Sequence, residues 1–98
     1  MTEGNQYKIA FFGVKSWERD VIEKQIIRLD SFGVGIFKGE IQDNIELAAK
    51  YDILSPFVNS RLTKEVLSKL PNLKLVATRS TGVDHIDCKE CAKRKIPV

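Results

Sequence analysis

Three short stretches carry groups that could do chemistry. Arg79-Ser80-Thr81-Gly82-Val83-Asp84 directly follows an apolar run, so an expected strand delivers the chain into this loop. Gly82 at that place lets the backbone turn tightly and leaves amides uncovered. Uncovered amides bind a carboxylate or phosphate without help from a charged side chain. The same residues also suit a plain strand-to-helix connection, and spacing alone does not choose between the two. Val14-Lys15-Ser16 and the segment from Phe57 to Leu62 occupy equivalent strand ends, where open α/β sheets receive ligands.

Other constellations read as structure. Cys88-Lys89-Glu90-Cys91 is a C-x-x-C at an expected helix start, and a helix N-terminus lowers a thiol pKa. Redox versions follow a strand more directly, so these cysteines are read without that activity. His85 and the two cysteines supply three zinc-ligand types where a structural site wants four, so no metal is expected. Ser80, His85 and Asp87 are the types of a hydrolytic triad but sit too close in sequence for its geometry. Asp84 reads as a turn former and Asp87 as a helix cap.

Apolar periodicity supplies the elements that must position these loops. The run Tyr7-Lys8-Ile9-Ala10-Phe11-Phe12-Gly13-Val14 suits a strand buried on both faces, as in a parallel sheet. Ser16 then offers an N-cap, with Glu18 and Asp20 in the favoured first turn. Trp17, Val21, Ile22, Ile26 and Leu29 are expected on one inward helical face. Phe32 to Phe37 reads as a second strand closed by Gly39, and Ile41 to Lys50 as a second helix with Ile41, Ile45 and Ala48 or Ala49 on one side. Asp52 to Val58 is the third strand, with Pro56 confined to its end or a bulge.

Thr63 caps a third expected helix, Lys64 to Leu70, with Val66, Leu67 and Leu70 inward. Leu73 to Thr78 is the fourth strand, and Asp87 with Glu90 opens a fourth helix through Lys93 as a capping-box-like pair. Ile96-Pro97-Val98 begins a fifth strand. Strict alternation of strands and helices implies parallel strands joined by right-handed crossovers. The expected fold class is α/β, a flavodoxin-like three-layer sandwich with a parallel sheet of four strands and an incomplete fifth. The short fifth strand implies a single truncated domain over residues 1–98. Its open sheet edge is expected to promote association, giving a homo-oligomer.

Composition narrows the function classes. Residues 1–50 hold 7 basic and 8 acidic side chains and residues 51–98 hold 9 and 5, so the second half is basic. Its lysines are interleaved with apolar positions rather than clustered, which points to solvated helix faces and away from nucleic acid. No apolar run reaches the roughly 18–20 residues of a membrane helix, so no membrane partner is expected. The polar start, Met1-Thr2-Glu3-Gly4-Asn5-Gln6, is unlike a signal peptide. Two cysteines without an export signal imply a cytoplasmic protein with reduced thiols.

Residues 52–98 resemble the D-isomer-specific 2-hydroxyacid dehydrogenase family, with its D-lactate dehydrogenase branch the nearest match. The motifs that carry this are the leucine-rich helix from Leu62 to Leu70, the strand Pro71-Asn72-Leu73-Lys74-Leu75, and Arg79-Ser80-Thr81-Gly82-Val83-Asp84-His85-Ile86-Asp87. Residues 1–51 fit the same fold with weaker motifs. The resemblance implies the N-terminal part of a substrate-binding domain whose parent interconverts 2-oxoacids and D-2-hydroxyacids with NAD. It implies that Thr81, Gly82 and Val83 offer amides to the substrate carboxylate. It also implies that Phe57, with Val58 beside it, lines the substrate side-chain pocket; Phe57 equally suits a core position at a strand end.

Relatives acting on phosphorylated hydroxyacids carry an arginine where Phe57 stands, so a small or apolar substrate side chain is expected. The departures are equally informative. Gly33-Val34-Gly35 is too short for G-x-G-x-x-G and lies on a strand. The family's catalytic arginine, glutamate and histidine belong to a later domain, and His85 is not that histidine. The resemblance therefore implies no bound NAD and no hydride transfer by this chain alone, and it assigns no catalytic residue here. The alternative reading is a non-enzymatic flavodoxin-like module for association or anion binding.

Overall fold

The apolar runs pair into one parallel sheet. The computed structural model describes residues 7–26, 32–80 and 82–98. Strand β1 (Tyr7–Phe11) lies inside the sheet, paired with β2 (Phe32–Ile36) and with β3 (Ile53–Ser55). Strand β4 (Leu75–Val76) adds to the far side of β3, so the order is β2-β1-β3-β4. Helices α1 (Ser16–Ile26), α2 (Ile45–Ala48), α3 (Lys64–Ser68) and α4 (Cys88–Lys93) alternate with the strands. Right-handed crossovers then set α1 on one face and α2 and α3 on the other. This is the expected α/β class. No helix among the described residues is long and apolar enough to cross a membrane.

The core gathers on the face of α2 and α3. Ala10, Phe12, Ile41, Leu54, Leu62, Leu67, Leu70 and Val76 are all essentially inaccessible to solvent. Phe12 stacks at a tilt on Phe37, with centroids 5.0 Å apart, and Tyr51 meets Phe37 edge-on at 6.0 Å. The first strand was expected to run to Val14 but ends at Phe11. Beyond it the chain still pairs: the Phe12 amide donates to Ser55 O at 3.1 Å, Gly13 to Gly39 O at 2.8 Å and Val14 to Phe37 O at 3.0 Å. Gly13 sits at φ +66, and a Cβ there would come within 3.1 Å of the Glu40 carboxylate. Glycine is therefore required at this turn.

Several element details differ from expectation. Ser16 is the first helical residue rather than the cap, because the Arg19 amide already donates to the Lys15 carbonyl. Trp17 and Val21 were expected to face inward, yet they are 68% and 55% exposed while Ile22 is buried. Leu29 and the Ile26 side chain lie outside the described residues. The inward stripe runs through Glu18 and Ile22, turned by one helical position, because Glu18 is drawn inward by Arg79. The single helix expected over residues 41–50 is broken into a 3-10 turn (Ile41–Asp43) and α2. Asn44 causes the break, as its side-chain amide donates to Glu40 O at 2.9 Å and competes with helix geometry.

The two expected caps hold. Thr63 Oγ1 accepts from the Val66 amide at 3.2 Å, and Asp87 Oδ1 accepts from the Glu90 amide at 3.0 Å. Helix α4 closes with two interlocked bonds, Ile96 N to Cys91 O at 2.8 Å and Lys95 N to Ala92 O at 3.0 Å. This is the Schellman pattern, with buried Ile96 against buried Cys91. Its left-handed position is Lys95 at φ 60, where a side chain costs about 1 kcal/mol relative to glycine. The incomplete fifth strand reduces to one bond: Val76 N donates to Pro97 O at 3.0 Å, and residues 96–98 are not in a strand.

Candidate functional site

Two loops leaving adjacent strands build the site. After β3 the chain passes through Pro56, Phe57, Val58, Asn59, Ser60 and Arg61 to Leu62; after β4 it passes through Thr78, Arg79 and Ser80 to the glycine loop. A short parallel bridge between Leu62 and Ile86 clamps them together. Leu62 N donates to His85 O at 2.9 Å, and Asp87 N donates back to Leu62 O at 2.8 Å. Both Leu62 and Ile86 are buried, so the clamp rests on the core and not on solvent-exposed bonds. Ser60 adds a second anchor. Its fully buried hydroxyl donates to Glu40 Oε1 at 2.7 Å and accepts from the Ile41 amide at 3.1 Å.

Between the clamped loops lies an open cleft of about 230 Å³, lined by Val58, Arg61, Gly82, Asp84 and His85. Two of the expected site residues, Val58 and Gly82, meet in it. Val83 is exposed on the same loop. Thr81 lies outside the described residues. Phe57 is half-buried and its ring faces the Arg79 guanidinium at 6.0 Å, so it stands at the strand end behind the cleft wall. Arg61 and Asp84 also line the cleft. Arg61 brings a positive charge to the lining; its position in a strand-end loop was the signal available in sequence. Asp84 opposes that charge, which leaves backbone groups as the principal attraction for an anion.

A Cβ built at Gly82 would meet nothing within 4 Å, so space alone does not demand glycine there. The amides of Gly82, Val83 and Asp84 find no acceptor among the described residues. Successive open N–H groups beside an uncovered backbone are the kind of donors that carboxylates and phosphates use.

Hydroxyls behind the loop hold its shape. Ser80 Oγ donates to Gly82 O at 2.7 Å and lies 2.8 Å from Thr78 Oγ1, which in turn lies 3.0 Å from His85 Nε2. Ser80 is therefore spent on the loop, and Asp87 on its helix cap, so these residues are not a triad. Cys88 is exposed and Cys91 buried. Burial pushes the Cys91 thiol above its ordinary value, with the neighbouring Cys88 adding to the rise. The raised pKa disfavours the Cys91 thiolate. Among the described residues no three metal-ligating side chains gather.

Gly33 and Gly35 pair in register with Lys8 and Ala10 inside the sheet, and they open no strand-to-helix turn.

Comparison with known proteins bears on family and fold. The family profile of the D-isomer specific 2-hydroxyacid dehydrogenase catalytic domain matches residues 9–98. Glycerate dehydrogenase of Hyphomicrobium methylovorum is 41% identical over 59 residues, covering 59% of this chain and 18% of that enzyme. A 2-hydroxyacid dehydrogenase homolog of Haemophilus influenzae is 32% identical over 94 residues, 93% of this chain and 28% of that protein. The crystal structure of D-lactate dehydrogenase from Aquifex aeolicus, complexed with NAD and lactic acid, superposes with a TM-score of 0.77 at 31% identity. It is covered over 27% of its length by 92% of this chain. The chain thus spans less than a third of the length of these relatives.

Proposed function

The chain belongs to the D-isomer specific 2-hydroxyacid dehydrogenase family, and from that premise we propose that it is the substrate-binding portion of an NAD-dependent enzyme interconverting 2-oxoacids and D-2-hydroxyacids. The observation that carries this reading is the open face of Gly82 with three unpartnered amides beside it. A ligand carboxylate approaching that face supplies the acceptors these amides lack. In this reading Gly82 and Val83, with Thr81 before them, hold the carboxylate. Arg61 adds long-range attraction, and Val58 forms an apolar wall for a short substrate side chain. Phe57 sets the depth of that wall from behind. A D-lactate-like substrate suits an apolar wall of this kind.

In this reading NAD and the family's catalytic residues belong to a later domain of the parent enzyme. The proposed role of this chain alone is therefore to bind and orient a 2-oxoacid, with hydride transfer left to the parent enzyme. The test is ligand-observed NMR on the purified chain. Pyruvate is expected to bind saturably with a dissociation constant on the order of 1 mM, a gain of about 4 kcal/mol. Methyl pyruvate, which lacks the carboxylate charge, should not compete. Equal binding of the ester would contradict a carboxylate site.

A further inference from the structure

Arg79 occupies the junction from which both walls of the cleft depart. Its side chain is 15% exposed and that of Glu18 19%. The guanidinium Nε donates to Glu18 Oε2 at 2.7 Å, and Nη2 donates to Phe12 O at 2.8 Å with a longer contact to Glu18 Oε1 at 3.5 Å. Nη1 donates to the Ser55 carbonyl and, at 3.3 Å, to Ser55 Oγ. The rings of Phe11 and Phe57 lie 5.9 and 6.0 Å from the guanidinium carbon. One planar group thus ties together the ends of β1, β3 and β4 and the first turn of α1.

The bonding count decides what Arg79 can do. All three guanidinium nitrogens already donate within this cluster, and the Glu18 carboxylate offsets the charge locally. Arg79 is therefore not a direct anion ligand, although it precedes the glycine loop by three residues. Its fork and its two ring contacts instead fix where that loop and the Phe57-Val58 wall begin. We infer that Arg79 is a positioning residue for the carboxylate site, acting through the Gly82–Asp84 amides and the Phe57 ring. This rests on the reading of those amides as the carboxylate cradle.

The test compares the wild-type chain with Arg79→Lys, Glu18→Gln and Thr63→Ala, all at a temperature where circular dichroism shows each to be folded. Arg79→Lys keeps the charge but loses the planar fork. Thr63→Ala removes a cap away from the cluster and controls for lost stability alone. Amide-detected NMR should show Arg79→Lys moving the ligand-free Gly82 and Val83 signals and weakening pyruvate binding about 10-fold or more, since displaced donors lose affinity steeply. Glu18→Gln should weaken it less, and Thr63→Ala should leave it unchanged. Arg79→Lys with unmoved Gly82 and Val83 signals overturns the inference, whatever the wild type binds. Equal loss of affinity in Thr63→Ala also overturns it, because stability alone would then account for the effect. A wild-type chain that ignores pyruvate defeats the carboxylate reading on its own, and the ligand-free spectra still decide whether Arg79 positions the loop.

Discussion

Gly82→Val removes pyruvate binding while leaving the folding free energy within about 0.5 kcal/mol of wild type, the range of neutral surface changes. The two halves of this result have separate causes. Stability is kept because a Cβ at Gly82 meets open space. Binding is lost because the same open space is where the proposed carboxylate approaches the amides of Gly82 and Val83. Urea denaturation and a pyruvate titration on one sample separate the two. A large loss of stability would mean that Gly82 serves the fold. Retained binding would mean that its open face is not where the ligand sits.

Phe12→Ala is expected to cost about 3–5 kcal/mol, the usual loss for emptying a buried aromatic position. Phe12 is fully inaccessible to solvent and stacks on Phe37, so truncation leaves a cavity and removes a ring contact. A domain of this size holds roughly 5–15 kcal/mol in total, so the variant sits near the edge of folding. Trp17→Ala is the contrasting case. Although Trp17 is the larger side chain, it is mostly exposed, and its loss should stay within about 0.5 kcal/mol. Chemical denaturation of the two variants checks the pair. Comparable losses would place Trp17 in the core and overturn the orientation of α1.

The architecture was legible because each element carried its own local signal. The continuous apolar run through Phe11 and Phe12 marked a strand, although within β1 only Ala10 is fully buried, and Thr63 and Asp87 marked helix starts through side-chain chemistry that needs no tertiary partner. The orientation of α1 was not legible. Trp17 and Val21 make a plausible apolar stripe, but the helix is turned by Glu18, whose partner Arg79 lies 61 residues away. Nothing in the local pattern reports a bond of that span. The break at Asn44 was missed for a different reason, since a side chain bonding back to Glu40 outcompetes a helical periodicity that continues on either side.

The site was legible only in part. Gly82 and Val83 were singled out through the strand-to-loop position and the family resemblance, and Val58 through the same resemblance. The fold leaves open space over Gly82, and in the proposed reading that space admits the ligand. Arg61, Asp84 and His85 were not assigned to a site, because only the Leu62–Ile86 bridge brings the two loops side by side. Arg79 belonged to a recognised motif, yet its partners at Phe12, Glu18 and Ser55 are spread over three elements.

The central claim is that the backbone of the loop after β4 holds a carboxylate. Amide mapping tests it most directly: an isotopically labelled chain is titrated with pyruvate and every amide signal is followed. The account predicts saturable shifts concentrated at Gly82, Val83 and Asp84, with smaller changes at Val58 and Arg61 and none along β2. Unchanged signals at Gly82 and Val83 up to about 10 mM pyruvate, roughly ten times the expected dissociation constant, would contradict it.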